Sequence, residues 1–265
     1  MTYKYYSQHG EDYLLWHFFD FRKRGFYIDV GAHDGISLSN TKSFEDNGWT
    51  GICVEPIPEV AEACRRIRAR VVQAACVSGN EKSVALRVDR SGLWAGIHTD
   101  EQAVARAYRE RGSGEPDFQT IDVPAVRAAA LLTDHHGDID FLSVDVEGTE
   151  IDVLRGLDLK RRRPRLLLVE ALTAEALHSL DAFLAEFAYL RARSVTCNHL
   201  YVLSERDARK LRGITIDCPL TVPILPGYGP ADLATRAWSA PTTRTRLGFI
   251  AGKLRQRYRK LAWGV

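Results

Sequence analysis

Residues 26–35 read FYIDVGAHDG. Apolar Phe26, Tyr27, Ile28 and Val30, interrupted only by Asp29, form the near-continuous run of a strand buried on both faces of a parallel sheet. The run breaks into Gly31 to Gly35, and a glycine turn ahead of a helix lets backbone N–H groups approach a ligand closely. Further along, a second apolar run, Gly51 to Val54, ends at Glu55, twenty residues after Gly35. An acid at the tip of the second strand of a βαβ unit is placed to accept hydrogen bonds from the two hydroxyls of a ribose. Together these two features predict a nucleoside site. A ligand-free glycine turn is the plainer reading, and it leaves the agreement with Glu55 unexplained.

The spacing argues against a dinucleotide. A pyrophosphate fingerprint needs G-x-G-x-x-G, and this turn has only Gly31 and Gly35, with polar His33 and Asp34 at its centre. Such a loop suits a cofactor without a pyrophosphate. S-adenosylmethionine fits, being adenosine joined to a zwitterionic amino acid. Asp29 and Asp34 would then be acids near its sulfonium and ammonium.

Composition bounds the rest. The chain has 265 residues, 45% hydrophobic and 26% charged, enough for one sizeable core and an appendage. A net charge of +2 makes the chain as a whole no polyanion binder, so nucleic acid is not an expected partner. The opening MTYKYYSQHGEDY has no apolar run and reads as neither signal peptide nor anchor. Five scattered cysteines without a C-x-x-C pair read as buried reduced thiols, and the expected location is cytoplasmic.

In chain order, a helix is expected over Tyr13 to Phe21, a short one from Lys42 to Asn47, and another from Glu59 to Arg70. A third strand follows at Val71 to Val77 and an alternating one at Ser83 to Val88. Beyond residues 89–118 come a short strand at Thr120 to Val123 and a helix at Val126 to Leu132. The run from Ile139 is the fourth main strand, followed by a helix from Thr149 to Leu157. Arg165 to Val169 is the fifth, followed by an amphipathic segment from Thr173 to Phe187. Tyr189 to Val195 and His199 to Leu203 read as an antiparallel hairpin. Residues 204–240, rich in Pro and Gly toward their end, read as irregular. The pattern predicts an α/β, doubly wound, mostly parallel sheet finished by a C-terminal antiparallel hairpin, which resembles the Rossmann-like fold of class I methyltransferases.

Ligands of open α/β sheets sit outside the carboxyl ends of the strands. Acids stand at or near four such ends: Asp29, Glu55, Asp145 with Glu147, and Glu170. With Glu55 assigned to the ribose, Asp145, Glu147 and Glu170 fall around the reacting end. They are candidates for catalysis by proton removal, or for a hard divalent cation such as magnesium held by Asp145 and Glu170. For Asp145 and Glu147 the alternative is capping of the following helix. The glycine-rich insertion at 89–118 reads either as an acceptor lid or as a plain surface excursion, and its His98 is a candidate base.

Taken in order, SQHGED at Ser7, FYIDVGAHDG at Phe26, SNT at Ser39, GWTGICVEPIP at Gly48, SG at Ser91, IDFLSVDVEGTEIDVLRGL at Ile139 and RPRLLLVEA at Arg163 resemble the FkbM family of S-adenosylmethionine-dependent methyltransferases. The resemblance covers residues 5–205. It implies O-methylation of sugar hydroxyls in glycolipids, polysaccharides or glycosylated natural products. It implies Asp29, Gly31, His33, Glu55, Gln8 and Asn40 around the cofactor, and Asp145, Glu147 and Glu170 toward a sugar-containing acceptor. The methyltransferase domain is accordingly expected over 1–205, with 206–265 as an extension. Two other functions are weighed: a catalytically silent module that binds S-adenosylmethionine or a glycan, and a nicotinamide-dependent oxidoreductase. The strand-end acids count against the first, the missing third glycine and the hairpin against the second.

The tail carries Arg244, Arg246, Lys253, Arg255, Arg257, Arg259 and Lys260 and no acid, with Leu247, Ile250, Leu254, Tyr258 and Leu261 at helical spacing. A basic amphipathic helix is suited to an anionic membrane surface, with a lipid-linked glycan as acceptor on the inner face. Equally, it is suited to packing on its own domain or on a second subunit of a homo-oligomer.

Overall fold

The computed structural model describes residues 3–89, 95–97, 105 and 116–216. His98, Cys218, the basic tail and most of the insertion lie outside the described residues. Seven strands form one sheet: β1 (Phe26–Val30), β2 (Thr50–Val54), β3 (Val71–Val72), β8 (Phe141–Val144), β9 (Leu166–Glu170), β10 (Leu190–Val195) and β11 (Asn198–Val202). Their order is β10-β11-β9-β8-β1-β2-β3. The five from β9 to β3 run parallel, and β11 enters antiparallel between β9 and β10. This is the expected doubly wound sheet, with the expected hairpin closing it.

Alternation along each strand explains the two layers. Ile28, Val30, Leu142, Val144, Leu167 and Val169 face one core, where Val153, Leu154 and Leu157 of α4 (Glu150–Leu157) and Leu180 and Leu184 of α5 (Ala174–Ala185) pack. Tyr27, Phe141, Leu166, Leu168 and Leu200 face the other. There they meet Leu14, Leu15, Trp16 and Phe18 of α1 (Glu11–Phe18), Phe44 of α2 (Lys42–Asp46) and Cys64 of α3 (Pro58–Arg65). Val153, Leu154 and Leu157 are fully buried, and side chains of this size contribute about 1.5–3 kcal/mol each. That burial fixes the start of α4, and with it the loop after β8.

Three expectations are corrected. The run Val71 to Val77 is not one strand. It divides into β3 and β4 (Ala75–Cys76), and β4 leaves the main sheet for a second one of order β4-β7-β5-β6. In that sheet β5 (Ser83–Asp89) pairs antiparallel with β7 (Phe118–Val126) and with β6 (Ala95–Gly96). The short strand expected at Thr120 to Val123 is thus a nine-residue one. Its last register pair, Asp89 with Phe118, brings the two ends of the insertion together. The helix expected at Val126 to Leu132 is a 3-10 turn, Ala128–Leu132.

The segment after 204 is not irregular throughout. It opens with α6 (Glu205–Gly213), capped by Ser204, whose Oγ accepts from the Asp207 N–H at 3.1 Å. Ala208 and Leu211, three apart, bury against the core that α1 covers. Cys53, Cys64, Cys76 and Cys197 are free and buried. No helix among the described residues is long and apolar enough to cross a membrane.

Candidate active site

The chain runs outward from β1 through β2 to β3, then returns to place β8 on the other side of β1. The carboxyl ends of β1 and β8 therefore border the crevice where strand order reverses, the ligand position of such sheets. Gly31 (φ +87°) begins the turn after β1. A Cβ there would lie 1.7 Å from the carbonyl oxygen of Asp145, a spacing that only glycine tolerates. The Asp145 N–H in turn donates to the Val30 carbonyl at 3.0 Å, so the ends of β1 and β8 are locked together. Gly31 and Ala32 N–H both donate to the Val54 carbonyl, tying the same turn to the end of β2.

Glu55 is 5% exposed. Its Oε2 accepts from the His33 N–H and its Oε1 from the Ile57 N–H, each at 3.0 Å. Burial raises its pKa against the pull of these two bonds and of His33. The carboxylate is thus aimed by backbone bonds, with lone pairs left for a ligand. Asp34 turns back on its own loop: Oδ1 accepts from the Ile36 and Ser37 N–H groups and Oδ2 from Ser37 Oγ. Burial opposes its ionisation, but hydrogen bonds from His33 and Ser37 outweigh burial and hold its pKa below the usual carboxylate range. The same bond to Asp34 raises the pKa of His33, whose φ is +50°.

Asp29 faces the α1–α2 side, where its Oδ2 accepts from Thr41 Oγ. Burial raises its pKa, while the nearby Arg68 cation and Thr41 pull it down. It anchors the Ser39–Thr41 segment. Asn40 of that segment reaches across, its Nδ2 donating to Ser143 Oγ on β8 at 3.1 Å. Gln8 is half-buried on the N-terminal segment, whose neighbour Ser7 bridges Leu38 beside the loop.

Arg68, just past α3, binds all of this from below. Its side chain is fully buried and donates to Glu45, to the Gly35 carbonyl (2.8 Å), to Ser39 Oγ (3.2 Å), to Tyr27 Oη (2.8 Å) and to Thr41 Oγ (2.6 Å). In the sequence Arg68 is one of four arginines in the run RRIRAR, and nothing local sets it apart from the others.

The acids expected toward the acceptor lie together. Carboxylate oxygens of Asp145, Glu147 and Glu170 lie within 4.8 Å of one another. Asp145 is open to solvent although protein encloses it, which places it on the wall of a cleft; Glu147 is half-buried and Glu170 buried. Glu147 (φ +58°) and Gly148 (φ +114°) are left-handed, a strained conformation at the glutamate. Burial, then the charges of Asp145 and Glu147, push the Glu170 pKa well above the usual range; burial and the charges of Asp145 and Glu150 do the same at Glu147. The protein packed around the cleft wall also raises the Asp145 pKa, against the pull of the adjacent Glu170 carboxyl and of His33. Neither acid caps the following helix, whose N-cap Thr149 has no side-chain cap bond; Glu150 Oε1 accepts from the Gly148 N–H just ahead of it at 2.9 Å.

Residues absent from the expected set complete this wall. Glu11 is fully buried, accepting from the His9 N–H and from Asn198 Nδ2, each at 2.8 Å, and its charge bears on Asp145. Cys197 Sγ donates to Glu170 Oε1 at 3.3 Å. Glu11 lies inside the SQHGED motif, the one signal that pointed to it.

The sequence profile of the Methyltransferase FkbM domain matches residues 29–191. The chain belongs to that family. The FkbM match opens at Asp29 and takes in Glu55, Asp145, Glu147 and Glu170, while Gln8, Glu11 and Asn198 fall outside it. No curated protein sequence matches the chain. Among solved structures it is similar to a precorrin-6Y C5,15-methyltransferase from Geobacter metallireducens, at 12% identity and a TM-score of 0.37 over 68% of this chain and 70% of that one. It is similar also to a Bacillus cereus O-methyltransferase in complex with SAH, at 10% identity and a TM-score of 0.37 over 73% and 80%. A third is a ribosomal protein L11 methylase from Lactobacillus delbrueckii subsp. bulgaricus, at 13% identity and a TM-score of 0.36 over 71% and 74%.

Proposed function

We propose that this FkbM-family protein transfers the methyl group of S-adenosylmethionine to a hydroxyl of a sugar-containing acceptor. The observation that carries the reading is the junction of β1 and β8. It places a glycine turn with an aimed, buried Glu55 on one side and an accessible Asp145 on the other, joined by backbone contact.

The donor side fits the cofactor. The Gly31 turn is held close against the Asp145 carbonyl at the end of β1, and beside it Glu55 offers a carboxylate to the ribose hydroxyls. Bound there, S-adenosylmethionine supplies an electrophilic methyl on a sulfonium, which leaves as a neutral thioether. The chain has two tasks. It holds the acceptor oxygen in line with that methyl, and it removes the hydroxyl proton as the carbon–oxygen bond forms, because a neutral alcohol is a weak nucleophile. Asp145 is the acid an acceptor can reach, and it takes the proton. Buried Glu170 stands beside it, with carboxylate oxygens within 4.8 Å, and limits where it can turn. The acidic wall of Asp145 and Glu147 suits a polyhydroxyl acceptor better than an apolar one.

The test is incubation of the full chain with methyl-labelled S-adenosylmethionine and a panel of oligosaccharides, glycolipids and glycosylated small molecules. Label in a base-stable ether on a sugar is the expected result. A protein that binds the cofactor yet labels amines or carboxylates, and no sugar in the panel, would overturn the acceptor assignment.

A further inference from the structure

We propose that Asp145, Glu147 and Glu170 together bind one hard divalent cation on the acceptor side of the cleft. Three observations lead there. The first is spacing. Calcium bonds to oxygen at about 2.3–2.6 Å, so opposite ligands stand up to about 5 Å apart; magnesium at about 2.1 Å needs about 3.0–4.2 Å. The three carboxylates, with oxygens within 4.8 Å of one another, fall inside the span that the ligands of one such cation occupy.

The second observation is an unfilled oxygen. Glu170 is 8% exposed, and its Oε1 takes the Cys197 thiol, but Oε2 has no hydrogen-bond partner. Among the described residues it is the one buried side-chain oxygen in that condition. Its carboxylate closes on that of Asp145, so the oxygen belongs to the cluster. A buried acceptor left without a donor is unfavourable, and burial and the neighbouring acids resist the ionised form of Glu170; a cation at the cluster offsets both.

The third is the lack of a lysine or arginine partner, His33 being the cation whose charge bears on Asp145. Among the described residues no lysine or arginine forms an ion pair with the three acids, whereas Asp20, Asp46, Asp140, Asp181 and Asp207 each have one. Glu11 and Glu150 add further carboxylates nearby.

The donor set selects the metal. All three ligands are carboxylate oxygens, which suit magnesium, calcium and manganese, not zinc. Cys197 is committed as a donor to Glu170. Three protein ligands leave positions on a six-coordinate cation open, and exposed Asp145 opens them to solvent. On the methyl-transfer reading, which this role alone rests upon, those positions take oxygens of the acceptor.

The test needs neither acceptor nor turnover. The full chain, stripped with chelator, is titrated with Mn2+ and followed by calorimetry and by loss of the free-ion paramagnetic resonance signal. One Mn2+ per chain, displaced by Mg2+ or Ca2+, is expected. Losing an outer-shell partner already weakens metal binding about 10-fold or more, so Asp145→Asn, Glu147→Gln and Glu170→Gln should each weaken it at least that much. Retained binding of S-adenosylhomocysteine confirms that each variant is folded. No binding by the wild-type chain at millimolar Mn2+, or binding that all three folded variants keep unchanged, would overturn the proposal.

Discussion

Replacing Glu55 with alanine separates two effects that one carboxylate combines. The first is on stability. His33 and Ile57 each give Glu55 a backbone N–H at 3.0 Å, in a place where the side chain is 5% exposed. An unsatisfied buried donor costs about 1–3 kcal/mol. Part of that is recovered if water enters the space left by the carboxylate, and more because burial already disfavours its charge. The net loss expected for Glu55→Ala is therefore about 2–4 kcal/mol, read as a fall in the urea midpoint. The second effect is on the donor. Two ribose hydroxyls lose a charged acceptor worth about 1.5–3 kcal/mol, so the dissociation constant of S-adenosylhomocysteine should rise about 10- to 100-fold by calorimetry. Glu55→Gln keeps one acceptor oxygen and turns an NH2 toward the other N–H, so it should fall between wild type and alanine in both assays. A folded Glu55→Ala chain that binds S-adenosylhomocysteine as wild type does would refute the ribose assignment. A loss of stability below about 1 kcal/mol would show that the two backbone bonds are dispensable.

Arg68→Met should destabilise the chain by about 3–5 kcal/mol in urea unfolding, because it strips the buried cation from Glu45 and Asp29. Arg68→Lys keeps the charge without the fork and should lose less. The His33–Asp34 pair predicts a pH signature. The folded pKa of His33 is raised, so its contribution is complete below the ordinary value of about 6.5 and is lost as pH rises through the folded value. Asp34 is depressed, so its contribution is present above about 3.9 and lost as pH falls through its folded value. Asp34→Asn should therefore flatten the stability profile at both ends, checked by urea midpoints across pH. For the basic tail, the full chain should float with anionic liposomes at low salt more than a variant ending at Pro241; equal recovery of both in the unbound fraction would dismiss the membrane reading.

The parallel sheet was legible because β1, β8 and β9 are buried on both faces and so are written as near-continuous apolar runs. The strand-end acids were legible for the opposite reason, as charges terminating those runs. What escaped depends on where the chain goes after a local signal ends. Val71 to Val77 reads as one strand, yet Val71–Val72 pairs with β2 and Ala75–Cys76 with β7. Only long-range pairing distinguishes the two halves. Helix α6, ERDARKLRG, is masked by charge, since Ala208 and Leu211 are its only buried residues. Arg68 looks like its exposed neighbours Arg65 and Arg66, and its burial is decided by Glu45, Tyr27 and Thr41, more than twenty positions away. Glu11 meets Asn198 across 187 positions, a contact that no local pattern contains.

The Gly31–Asp145 contact has a mechanical meaning. With the Gly31 Cα against one carbonyl oxygen and the Asp145 N–H bonded to Val30, the glycine turn and Asp145, the proposed donor and acceptor sides, are two jaws cast in one piece. Their gap is set by strand spacing in the sheet interior and not by loop motion. A redesign that moves the turn drags the acid with it, so attempts to retune the acceptor by substitutions at 31–34 will change donor affinity in the same step. Acceptor preference is better altered from surfaces not anchored to this joint, and the ribbon ending at the Asp89–Phe118 pair supplies one.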